Sequence, residues 1–227
     1  MTTPPADGAS ELLLMLLADA RLPTSGHAYS GGLEGALLGG LPPDEIVGYC
    51  RTRLATVTFV DAATAVLCRG RALSGLGTAD VEQAWAARTP SEALREAARA
   101  LGRANRRLAL RLWPASPALE ELVGLHEPAR SRVLGLMAAA GGLSAAQLVR
   151  LVGYDDVQSV LSASLKLCPG DPVDAATALL ELAPEIEALV PRCVGVTEPS
   201  QLPAPSAPVL EAWAQAHAVA TRRLFRA

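Results

Sequence analysis

Apolar residues recur at helical spacing along most of the chain, and no segment shows the strict alternation of a half-buried strand. The run Leu12-Leu13-Leu14-Met15-Leu16-Leu17 predicts a buried first helix, capped by Ser10 and stopped at Leu22-Pro23. A loop rich in small residues follows and leads into a short helix near Leu33-Glu34. Pro42-Pro43-Asp44 opens a long helical stretch to about Ser74, with Ile46, Val47, Cys50, Leu54 and Val57 on its apolar side. Ser74-Gly75-Leu76-Gly77 breaks it, and Asp80 is the expected cap of a short helix carrying Trp85. Thr89-Pro90-Ser91-Glu92 reads as a capping box with proline at the first helical position. Leu94, Ala97, Leu101, Leu108 and Leu112 form the predicted buried stripe of the helix it opens, which ends at Trp113-Pro114. Ser116-Pro117, Asp171-Pro172 and the Ser144/Gln147 pair mark further starts, giving helices near residues 117, 129, 145, 172 and 184.

The pattern predicts an all-α chain: a single helical-bundle-like domain of roughly nine to eleven helices, with a proline-rich linker to a C-terminal helical tail. Residues 1–9 read as a disordered tail and residues 10–190 as the helical domain. Residues 191–208, with five prolines, read as an extended linker, and residues 209–227 as a final amphipathic helix and tail. Such a helix either docks on a partner or packs back on its own domain.

Composition adds to this picture in three ways. Apolar residues make up 50% of the 227 and charged residues 19%, with mean hydropathy +0.26. That is apolar-rich for a lone soluble domain and suggests surface covered by a subunit or partner. The formal charge, 20 − 23 = −3, lacks the basic excess of a nucleic-acid binder. Cys50, Cys68, Cys168 and Cys193 are far apart and form no C-x-x-C, which suits a reducing compartment rather than a disulfide or zinc framework. The first apolar run is too short to span a bilayer and has no basic segment before it, so neither an anchor nor a signal peptide is expected.

The chemistries fail in turn. There is no phosphate-binding loop, and Lys166, the sole lysine, has no glycine loop before it. Ala28-Tyr29-Ser30-Gly31-Gly32 approaches the G-x-S-x-G elbow of hydrolases, but helices flank it where the elbow needs a strand-to-helix turn. A hydrolase built on Ser30 is therefore the weakest alternative, and Ser30 as a helix cap the plainer one. His27, His126 and His217 are isolated, and no metal site or cofactor is expected. Arg95, Arg99, Arg103, Arg107 and Arg111 recur every four residues, either as a solvated face paired with Glu92 and Glu96 or as a docking strip for an acidic partner.

The loop Leu22-Pro23-Thr24-Ser25-Gly26-His27-Ala28-Tyr29-Ser30-Gly31-Gly32-Leu33-Glu34 resembles the N-terminal signature of UreF-type urease accessory proteins. Ser162-Ala163-Ser164-Leu165-Lys166-Leu167-Cys168-Pro169-Gly170 is similar to a second motif of that family, and His217 with Arg223-Leu224-Phe225 to its closing motif. The string Ala129-Arg130-Ser131-Arg132 is more polar than its counterpart. The resemblance implies a cytoplasmic, homodimeric, non-catalytic scaffold. It would bridge the UreG GTPase and the UreD/UreH protein, and through them apo-urease, to promote GTP-dependent nickel insertion. Lys166, His217, Arg223, Leu224 and Phe225 are the implied partner-binding residues; His27, Ser30, Gly32 and Glu34 shape the loop. A helical adaptor unrelated to nickel is the alternative of a different class.

Overall fold

The computed structural model describes residues 7–24, 26–221 and 223–226. Residues 1–6 of the expected tail, and Ser25, Arg222 and Ala227 of the loop and tail, lie outside them. Among the described residues there are eleven α-helices: α1 (Asp7–Ala18), α2 (Leu33–Leu38), α3 (Ile46–Ala55), α4 (Val57–Leu73), α5 (Ala79–Ala87), α6 (Glu92–Leu112), α7 (Arg130–Gly141), α8 (Ala145–Leu167), α9 (Pro172–Glu181), α10 (Ala183–Cys193) and α11 (Pro208–Ala218). No strand occurs among them. One isolated bridge joins Tyr29 to Arg226. None of these helices is long and apolar enough to cross a membrane.

The layers follow from which helices are apolar all round. In α4 the residues from Ala62 to Cys68 are all buried, so α4 must be covered on every side. It packs on α7, likewise buried from Ser131 to Ala138, and on the long α8, with α3, α5 and α10 around them. Ser144 and Gln147 close a full capping box at the start of α8, and Asp171 caps α9 by accepting the Val173 amide at 2.8 Å. The helix α6 lies on α7 with the small residues Gly102 and Ala109 buried on one face, Gly102 against Pro128 and Ala129.

Several sequence expectations are corrected. The helix α1 begins at Asp7, so Ser10 lies inside it and does not cap it. Its apolar run is only half buried: Leu13, Leu14 and Leu17 pack on the core, while Leu12 and Met15 are 69% and 67% exposed. A helix lying on the surface buries one side, and consecutive apolar residues cover both. The stretch from Pro43 is broken at Thr56 (φ −124°, ψ −93°), which separates α3 from α4.

Two caps and one stripe also differ. Thr78, not Asp80, precedes α5, and Asp80 lies in its first turn. Ser91, not Thr89, caps α6 by accepting the Leu94 amide, while the Thr89 hydroxyl donates to the Trp85 carbonyl. The leucine stripe of α6 is only partly buried, and Leu112 is exposed, because α7 meets the small-residue line instead. Arg95 donates to the Thr89 and Pro90 carbonyls rather than pairing with Glu92. Residues 191–208 are no extended linker. Pro191 lies within α10, Val196 and Leu202 are buried in the core, and Arg88 donates to the Leu202 carbonyl at 2.9 Å.

Candidate functional site

The loop before α2 lies against α3 and α8, with Gly31 close to Val160 and Arg53. Gly32 sits at φ +80°, a left-handed conformation that side chains other than glycine strain to adopt, and an added Cβ would lie 2.7 Å from the Tyr49 hydroxyl. That hydroxyl donates to the Gly31 carbonyl at 2.8 Å and ties the loop to α3. Ser30 is buried, and its Oγ accepts the Glu34 amide at 3.3 Å in the first turn of α2.

Below the loop lies a buried ion pair. Arg53 of α3 donates through Nε to Asp156 of α8 at 2.9 Å and through Nη2 to the second carboxylate oxygen; Thr58 donates to the same carboxylate at 2.7 Å. Burial pushes the Asp156 carboxyl up, but the Arg53 charge and these hydrogen bonds outweigh it and hold it below the ordinary range. Burial alone would lower the Arg53 guanidinium; Asp156 reverses that and raises it. Among the described residues the buried Arg53 Nη1 has no hydrogen-bond partner, and Arg53 lines a cavity of about 120 Å³ together with Asp61 and Trp85. Burial pushes the Asp61 carboxyl up to about 6, although Trp85 Nε1 donates to it at 2.7 Å.

Above the loop, Glu34 clasps the tail. Its Oε1 accepts the Leu224 amide at 2.6 Å, and its Oε2 accepts the Phe225 amide at 2.8 Å and His217 Nε2 at 3.1 Å. The Arg226 amide donates to the Ala28 carbonyl at 2.8 Å. Close approach of α11 to α2 makes this possible. A Cβ on Gly35 would lie 2.8 Å from His217 Cβ and 2.9 Å from the Trp213 carbonyl oxygen, so only glycine fits without moving α11. Phe225 is buried, and Lys166 Nζ sits 5.2 Å from its ring centre.

The structure thus brings together residues that are far apart in sequence: Ser30, Gly32 and Glu34 from the loop, Lys166 from α8, and His217, Leu224 and Phe225 from the tail. They do not all face outward. His217 and Phe225 are buried against their own chain, whereas Lys166, His27, Arg223 and Leu224 are exposed. The Ser30 hydroxyl serves a backbone amide and His217 serves Glu34, so neither is arranged as a nucleophile with its base. Among the described residues no group of three or more His, Cys, Asp or Glu side chains is placed to hold a metal ion.

With that geometry in view, likeness to known proteins is decisive. Residues 43–183 match the UreF family. The urease accessory protein UreF of Mycobacterium sp. strain JLS is 34% identical over 214 residues, covering 93% of this chain and 96% of that protein. Urease accessory protein UreF of Mycolicibacterium vanbaalenii is 35% identical over 217 residues, with the same coverage of 93% and 96%. The chain belongs to the UreF family of urease accessory proteins. The family match at residues 43–183 begins after the loop and ends before the tail.

Sequence reasoning missed the ion pair beneath the loop and a second one at Arg132. The latter donates to Thr78, Glu82 and Glu121 and joins α7 to α5 and to the short helix at Pro117–Leu122. The signal was present. Asp156 interrupts the apolar run of α8, and Arg130 and Arg132 open the apolar α7. A charge on a buried face needs a partner, and these polar positions are where the partners are. Arg130 pairs with Asp155 at 2.6 Å, which gives the polar start of α7 its purpose.

Proposed function

We propose that this UreF-family chain is a non-catalytic scaffold of urease maturation that bridges a UreG-type GTPase and a UreD/UreH-type protein, and so promotes GTP-dependent nickel insertion into apo-urease. The carrying observation is the meeting of the three motif segments at the tail: Glu34 of the loop accepts the Leu224 and Phe225 amides, and Lys166 lies over the Phe225 ring. A surface made of both ends of a chain suits recognition of partners better than chemistry. Lys166, Arg223 and Leu224 are its exposed contacts; His217 and Phe225 hold the tail in position behind them.

A homodimer in the cytoplasm fits the same role. Leu12, Met15 and Leu16 on α1 and Val173 and Leu180 on α9 are exposed apolar side chains of the kind a subunit interface covers. Scattered, unpaired cysteines, three of them buried, suit a reducing compartment.

Size-exclusion chromatography with light scattering tests the proposal, on the protein alone and mixed with the UreG-type and UreD-type proteins of the same organism. A dimer that joins both in one larger particle is expected. A chain that associates with neither would leave a helical adaptor and remove the bridging role.

A further inference from the structure

Beside the clasp lies a groove of about 510 Å³ between α6 and the tail, and its charge is one-sided. Arg99 and Arg103 line it from α6, Arg223 and Arg226 from the tail, and only Glu96 and Glu127 oppose them. Arg99 and Arg103 are four residues apart and share a helix face. Elsewhere on the α6 stripe, Arg95 binds its own chain's carbonyls and Arg107 donates to the Pro23 carbonyl, while Arg111 lies outside the groove. Within the groove, Arg103 meets Glu127 at 2.8 Å and Arg223 donates to the Ala218 carbonyl. Among the described residues the side chains of Arg99 and Arg226 have no hydrogen-bond or ion-pair partner.

We infer that this groove is a docking site for an acidic peptide segment of a partner protein, whose carboxylates pair with Arg99 and Arg226. Arg99 is half-buried, and a partly desolvated guanidinium without an acceptor calls for one. Its fork matches a carboxylate in two-point geometry. A nucleic-acid strand fits less well. Its phosphates are continuous, whereas Glu96 and Glu127 punctuate the groove, and Tyr29, the aromatic ring lining it, is buried and offers no face for base stacking. The chain's net charge of −3 also makes this basic groove a local feature rather than a general polyanion surface. The groove exists only while Glu34 holds the tail, because two of its four arginines come from the tail.

Fluorescence anisotropy of a labelled peptide of alternating glutamate and glycine tests this without either maturation partner, so its failure would leave the bridging proposal standing. Saturable binding that weakens with salt is expected. The pair Arg99→Glu and Arg226→Glu should weaken it about tenfold or more. Arg111→Glu, about 12 Å further along α6 from Arg103, should leave it unchanged. The milder Arg99→Gln and Arg226→Gln pair, checked by circular dichroism, guards against loss of fold and should also weaken binding. Three results would overturn the inference: no binding of the peptide, an equal loss in Arg111→Glu, or a thymidine oligonucleotide that binds as tightly with the same dependence on Arg99 and Arg226.

Discussion

Asp156 and Glu34 are two carboxylates on either side of one loop, and each gathers several donors. Asp156 takes side-chain donors from α3 and α4, helices that are themselves locked into the core. Glu34 takes two backbone amides and an imidazole from the tail and α11. The first therefore holds the fold together, while the second holds one segment against it. The same chemistry gives global stability where both partners are deep in the core, and a releasable joint where one partner is peripheral.

Four substitutions separate these roles, from the largest effect to the smallest. Asp156→Ala leaves Arg53 charged and unpaired in the interior and should cost about 3–5 kcal/mol of global stability, read from denaturant unfolding. Glu34→Ala leaves the Leu224 and Phe225 amides without an acceptor. It should cost about 1–3 kcal/mol, confined to the tail and seen as faster proteolysis there with little change in the main unfolding transition. Asp61→Asn should alter the pH dependence of stability. Asp61 holds its proton more tightly folded, up to about 6, than unfolded. Its contribution is therefore full below about pH 4 and lost as the pH rises through about 6. The asparagine variant should lack that decline in melting profiles across this window. Lys166→Ala removes the cation over Phe225 and should cost about 0.5–1 kcal/mol, measured as slightly increased exchange of the tail amides.

The helices were legible because their signals are local. The Ser144/Gln147 box and the Asp171-Pro172 start lie where periodicity and caps put them. Burial was less legible, since it depends on the neighbour. The leucines of α6 gave way to Gly102 and Ala109, because only small residues let the start of α7 approach: a Cβ on Gly102 would collide with the Pro128 carbonyl. The prolines at 191–208 do not exclude packing or even helix: Pro191 lies within α10, Pro208 opens α11, and Leu202 between them reaches the core. The candidate site was half visible. Its motif residues could be named, but 183 positions separate Glu34 from His217, and no periodicity reports a contact of that range.

Hydrogen exchange at the amides of Leu224 and Phe225 tests the clasp most directly. In the native protein both should be protected well above the rate of an open chain, and Glu34→Ala should abolish that protection while the amides of α4 and α8 keep theirs. Fast exchange of both amides in the native protein, or protection that survives Glu34→Ala, would contradict the clasp and with it the surface built from loop, Lys166 and tail.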